Sequence, residues 1–231
     1  MTGEIEVGAT GGPREVLATL KPQVYGKDAP SRVLDPIVEP QWIGVRALAA
    51  IDPDGAALVD IDGEPIPGME PIVEALAAAG RATGLVIDGW ISKQTSHVES
   101  PVVWPDEMPS MGRLLGLRRN RAIDTMELKE ASLEALSFED DEISFVATDL
   151  LWLEGTSLLD IPLLERRRLL AAVIAESEAV RLGAFIRPPI ERWVRSWRSQ
   201  GFTGLTYKAA NSRYLPGEVN RDWTTGGMPR R

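Results

Sequence analysis

Two apolar runs, residues 45–51 and 56–61, flank Asp52-Pro53-Asp54-Gly55, and that tetrapeptide commits this part of the chain to a tight β-hairpin. Proline presets φ for the turn, and glycine accepts positive φ without a steric cost. Residues 85–92 and 143–152 read as further strands whose apolar runs suit a buried central position. Residues 68–79 carry Met69, Ile72, Val73 and Leu76 at helical spacing, with Gly80 as the stop. The spacing predicts a long amphipathic helix over 162–180, with Leu163, Leu164, Leu169, Leu170, Val173 and Ile174 on one face. A shorter helix is expected over 189–200, where Trp193 and Trp197 lie one turn apart and read as core. Residues 204–209 form a last strand, and the tail from Asn211 reads as loop. Strands outnumber helices and hairpin connections dominate, so the fold class is α+β with mainly antiparallel sheets.

The remaining stretches are less regular. Residues 1–14, rich in Gly, Thr and Glu, read as a flexible leader, and 94–125 as a long loop region. A helix is expected over 128–136, then a solvated acidic turn over 138–142 that lacks the ligand spacing of a calcium loop. Gly8 to Gly12 does not satisfy the phosphate-binding loop pattern. The single histidine, His97, reads as an exposed loop residue without a Ser or Cys partner.

With 231 residues, 44% of them hydrophobic, the chain is long enough for a substantial core, as one domain or two small lobes sharing a cleft. Absence of cysteine excludes disulfides and thiolate chemistry. No basic, apolar leader marks a signal peptide, and no run reaches the roughly 18–20 apolar residues of a membrane helix. A cytoplasmic location is the default. The net charge of −9 argues against tight autonomous DNA binding, because neutralised phosphates supply most of such affinity. Local basic patches are Arg113, Arg118, Arg119 and Arg121, and again Arg192, Arg195 and Arg198. Each reads as a solvated face before it reads as a nucleic-acid contact.

Three stretches occur in an informative order. Residues 39–46 read EPQWIGVR. Residues 145–151 read FVATDLL, followed over 158–167 by LLDIPLLERR. Residues 201–208 read GFTGLTYK, followed by Ser212-Arg213-Tyr214, Pro216-Gly217 and Arg221-Asp222-Trp223. These resemble, in turn, the EPKWDGVR, FDLL…PLxERR and GxEGxVxK…SxYxPG…RDW motifs of covalent nucleotidyltransferases. The closest pattern is that of the bacterial ATP-dependent DNA ligases of the end-joining type. The resemblance runs from about Leu17 to Gly227. It implies a two-lobed, ATP-grasp-like nucleotidyltransferase fold over residues 15–227, with flanking helices and one cleft. It also implies, since the chain ends four residues after Gly227, that the family's oligonucleotide-binding barrel is lacking.

The same resemblance identifies what has changed. In the family a lysine amine attacks the α-phosphorus of ATP and holds AMP as a phosphoramidate. That position is Gln41, whose amide lone pair is delocalised into its carbonyl, so no catalytic residue is assigned. An acid of the same motif falls at Ile43, an arginine after the hairpin at Ile61, and the ribose-binding glutamate at Trp90. The adenine-stacking phenylalanine falls at Thr148, the acid before Gly204 at Thr203, and the lysines of the last motif at Thr225 and Gly227. Both aligned metal-placing carboxylates, at Trp90 and Thr203, are gone, so Mg²⁺ is not expected and no metal site is assigned. Phosphoryl transfer depends on positioning and charge stabilisation, which these losses remove.

Glu39, Gly44, Arg46 and Lys208 keep the motif residue. By the resemblance, Glu39, Arg46 and Lys208 define a residual nucleotide site, so ATP stays open as a ligand; alternatively they persist as salt-bridge partners. Lys93 does not replace the nucleophile, lying three residues from Trp90 and so on the opposite strand face. The expectation is a catalytically inactive homologue of a ligase adenylation domain, acting as a binding or interaction module linked to DNA repair. A repair or ligase-related protein, a nucleotide and a nucleic-acid component all remain open as partners. The competing expectations are a divergent active ligase-type nucleotidyltransferase and a non-catalytic ATP-binding protein.

Overall fold

A computed structural model of the chain describes residues 11–42, 44–93, 143–200 and 202–229. The readings placed on residues 1–10, 43, 94–142 and 201 lie outside the described residues. These include His97, the 128–136 helix, the acidic turn, the Arg113–Arg121 cluster and Ile43.

The hairpin is formed as its turn dictates. Strand β3 (Val45–Asp52) pairs antiparallel with β4 (Gly55–Val59), Asp52 opposite Gly55. Beside β3 lies β5 (Leu85–Lys93), then β6 (Ile143–Leu153), then the short β7 (Thr156–Ser157), giving the order β4-β3-β5-β6-β7. A further strand, β8 (Val180–Leu182), runs parallel to β6. The second sheet has the order β1-β10-β9-β2, from Val24–Gly26, Val219–Gly227, Gly204–Ala209 and Pro36–Pro40. Only β1–β10 and β6–β8 are parallel among the described pairings. The fold is α+β with mainly antiparallel sheets, as expected.

Side-chain alternation explains why β3 reads as a continuous apolar run. Val45, Ala47, Ala49 and Ile51 join one core cluster with Ile72 and Leu76 of helix α2 (Glu70–Ala79) and Leu170 of helix α3 (Leu163–Val173). Leu48 and Ala50 join a second, with Val16 and Leu17 of helix α1 (Pro13–Thr19), Ile37 of β2 and Trp223 of β10. Buried on both faces, β3 carries one charged side chain before Asp52, Arg46, and has no exposed polar face to reveal its period.

Four readings are corrected. Helix α3 ends at Val173, not Val180, because Ile174 leaves it to bridge Gly80 and Ala175 N donates to Ala79 O at 2.8 Å. The tail is not all loop, since β10 pairs with β9 over Trp223–Gly227. The last helix, α4 (Glu191–Ser199), buries Trp197 as expected but leaves Trp193 50% exposed. Helix α1 begins inside the stretch expected to be leader. No helix among the described residues is long and apolar enough to cross a membrane.

Candidate functional site

The positions that the motifs single out meet where the two sheets face each other. On β3 and β5, Arg46 is opposite Trp90, so Asp88 is its diagonal neighbour on the same face. Arg46 Nε and Nη2 donate to the two Asp88 carboxylate oxygens at 3.1 and 2.6 Å, and Nη1 donates to Gln23 O at 2.5 Å. The fork geometry is bidentate, and both side chains are almost wholly enclosed. Asp88 also accepts from Tyr214 Oη at 2.7 Å, and that hydroxyl accepts from Gln23 N at 3.2 Å.

The other sheet repeats the device. Lys208 on β9 is opposite Ile37 of β2 and Trp223 of β10, which makes Glu39 its diagonal neighbour. Lys208 Nζ lies 2.7 Å from Glu39 Oε2 and 4.2 Å from the Trp223 ring centroid, with both charged side chains only 1% exposed. Tyr25 of β1 connects the two pairs. Its ring is 5.5 Å from the Arg46 guanidinium carbon and 5.6 Å from the Trp223 ring centroid.

Burial works against each cation, yet both are held more strongly protonated than usual. For Arg46 the opposing attraction is Asp88, and for Lys208 it is Glu39. Burial pushes the phenols of Tyr25 and Tyr214 upward, Tyr214 the more so with Asp88 against its hydroxyl. Glu39 Oε1 and Trp42 Nε1 are buried without a hydrogen-bond partner.

Of the altered positions, Gln41, Trp90 and Thr148 lie beside this junction. The Gln41 amide N–H donates to Gly204 O at 3.0 Å, and its carboxamide lies against Gly204 so closely that any Cβ there would overlap Oε1. Trp90 is 6% exposed and belongs to an aromatic and aliphatic cluster with Val38, Trp42, Val146, Trp197 and Phe202. Thr148 is the extra residue of a bulge in β6, between the pairs Asp88–Asp149 and Gly89–Ala147, and its hydroxyl donates to Asp88 O at 3.1 Å. Arg167 donates from Nη1 to Thr148 O at 2.5 Å and from Nη2 to Gly183 O. Thr203 is exposed, Ile61 half-buried in the turn after β4, and Thr225 half-buried opposite Thr206. Among the described residues no group of three or more His, Cys, Asp or Glu side chains could hold a metal ion.

Thus the structure brings Glu39 and Lys208 together, and Arg46 to Asp88, each cation engaged by its own carboxylate. Asp88, Tyr25 and Gln23 were not singled out by the sequence reading. Asp88 stands two residues before Trp90, a position that the resemblance names, and was within reach; Tyr25 and Gln23 stand in a segment with no motif signal. Further along, Asp149 and Arg166 form a fully buried bidentate pair at 2.8 Å that fastens α3 to β6. This gives a structural reason for those two residues in the second motif block.

The chain is similar in sequence and in fold to known proteins. The family model described as ATP dependent DNA ligase domain matches residues 118–225. The multifunctional non-homologous end joining protein LigD of Mycolicibacterium smegmatis is 25% identical over 185 residues, which is 80% of this chain and 20% of that protein. A DNA ligase of Thermococcus fumicolans is 33% identical over 79 residues, 32% of this chain and 14% of that protein. The chain therefore spans about a fifth of the length of the LigD relative it matches. Among solved structures, mycobacterial DNA ligase D complexed with ATP and MES superposes with a TM-score of 0.59 at 21% identity, over 90% of this chain and 60% of that one. Over residues 118–225 the chain is similar in sequence to the ATP-dependent DNA ligase domain, and over 90% of its length it shares the fold of a solved DNA ligase.

Proposed function

We propose that the chain is a catalytically inactive relative of the ligase adenylation domain that works as a binding or interaction module, cytoplasmic and linked to DNA repair. The observation that carries this reading is Gln41. A carboxamide at the place of the attacking amine cannot form the bond to AMP, because its nitrogen lone pair is committed to the carbonyl. The surroundings support it. Trp90 puts an indole where the family has a sugar-binding carboxylate, and Arg46 and Lys208 spend their charge on Asp88 and Glu39 rather than on phosphate. Trp90 and Thr203 also supply no carboxylate to place Mg²⁺.

The test is incubation with α-labelled ATP and Mg²⁺ followed by denaturing electrophoresis. No label on the protein is expected, for the native chain or for Gln41→Ala. A labelled band that survives denaturation overturns the reading and makes the chain a divergent nucleotidyltransferase.

A second reading, nucleotide binding without transfer, is favoured by one observation: the buried Glu39 Oε1 has no hydrogen-bond partner, as an atom awaiting a polar ligand would. It requires a rise in melting temperature at millimolar ATP, and a flat response discards it.

A further inference from the structure

We propose that the exposed side of α4, with Arg192 at its centre, Arg195 on one flank and Trp193 on the other, docks an acidic peptide segment of a partner protein. The proposal rests on the interaction-module reading and gives it a surface and a partner chemistry.

Helix α4 is anchored through Val194 and Trp197, which are 6% and 3% exposed and belong to the same cluster as Trp42 and Trp90. Trp193 projects beside that anchor and is 50% exposed, and its ring leans on Trp197 with centroids 6.3 Å apart. An indole braced in this way is already ordered, so a partner that covers it loses little side-chain freedom. Buried aromatic anchors of this kind dominate binding energy at interfaces.

The charge on this face is also unspent. Arg192 and Arg195, one helical turn apart, are exposed and have no ion pair among the described residues. Elsewhere on the surface Arg14, Arg32, Arg168, Arg187 and Arg213 each meet a carboxylate, while Arg81 and Arg221, exposed and likewise without an ion pair among the described residues, do not stand one turn from a second arginine on a helix. A chain of net charge −9 has acids to spare, so a pair of arginines left open next to an exposed indole is complementary to an acid from outside. A segment with two carboxylates followed by an apolar side chain would meet both arginines and then cover the ring. A nucleic acid fits less well, because its affinity comes from a run of neutralised phosphates and the body of this chain is acidic.

The experiment titrates the full chain into a fluorescein-labelled peptide of Asp, Glu and Leu, followed by fluorescence anisotropy. Parallel titrations use a Lys and Leu peptide and an oligothymidine. Saturable binding of the acidic peptide is expected, weakening with salt. Trp193→Ala should weaken it about tenfold, and Arg192→Glu with Arg195→Glu about as much. Arg168→Glu, on α3, should leave it unchanged. Circular dichroism of each variant separates lost contact from lost fold, and both altered faces are exposed. The proposal is overturned if no acidic-peptide binding is seen, if binding ignores the α4 substitutions, or if the oligothymidine binds through those residues instead. Those outcomes leave the inactivity reading standing, whereas an ATP-labelled band would remove that reading without touching the peptide result.

Discussion

At position 208 a lysine ammonium is shut away from water, and its charge is tolerable because Glu39 lies in contact at 2.7 Å. Desolvating two ions costs several kcal/mol each, and only their mutual attraction offsets it. Removing one partner should therefore be worse than removing both. Glu39→Gln leaves the ammonium uncompensated, and we expect a loss of about 3–5 kcal/mol in urea unfolding, with Lys208→Met costing a similar amount. The double variant, Glu39→Leu with Lys208→Met, should recover most of either loss. Single variants that cost under about 1 kcal/mol, the range of exposed pairs, would mean that water reaches this site. The same reasoning bears on ligand binding: a phosphate drawn to Lys208 must first compete with a carboxylate already in place.

Among the elements, β3 is the one that most depends on a single backbone position. Gly44 precedes it with φ +152°, and a Cβ there would overlap the Ile91 carbonyl of β5. Gly44→Ala combines that overlap with a backbone conformation that side chains rarely adopt. A loss of about 3 kcal/mol is expected, together with a lower melting temperature. An unchanged melting temperature would show that β3 and β5 do not approach as described. Strands such as β3, β5 and β6 were legible because long apolar runs have few alternatives to burial. The sheet formed by β1, β2, β9 and β10 was legible only at β9. Strand β1 has three residues, β2 begins and ends in proline, and β10 mixes buried and exposed polar residues around Trp223 and finishes in two glycines. Residues 174–179 are compatible with helix locally, and their contacts with Ala79, Gly80 and Phe145 draw them out of it. In the same way the sequence identified Glu39, Arg46 and Lys208 one by one. Their partners depend on sheet register, which pairs Arg46 with a strand more than 40 residues away.

For the molecule as a whole, the two sheets are joined through polar groups as well as through packing. The path runs from Glu39 and Lys208 by way of Trp223, Tyr25 and Arg46 to Asp88 and Tyr214, and several of its members titrate only at high pH. Tyr214 is enclosed and Tyr25 half-buried, and burial raises the folded-state pKa of each phenol above the ordinary 10.0. In the unfolded chain they ionise near that ordinary value. Above it the folded state binds more protons than the unfolded state, so stability must fall as pH rises. Lys208 adds to the same trend, since its folded pKa is raised above 10.5 and its contribution is lost as pH climbs through the folded value. Urea midpoints should accordingly decline from about pH 10 upward. Tyr25→Phe keeps the ring against Trp223 and Arg46 and removes one titrating phenol, so its decline should be shallower than that of the native chain. Tyr214→Phe is a poorer choice, because it also removes the hydrogen bond to Asp88. A native midpoint that stays flat above pH 10, or a Tyr25→Phe profile that overlays it, would show that the phenol at position 25 titrates freely and that the junction between the sheets is open to water.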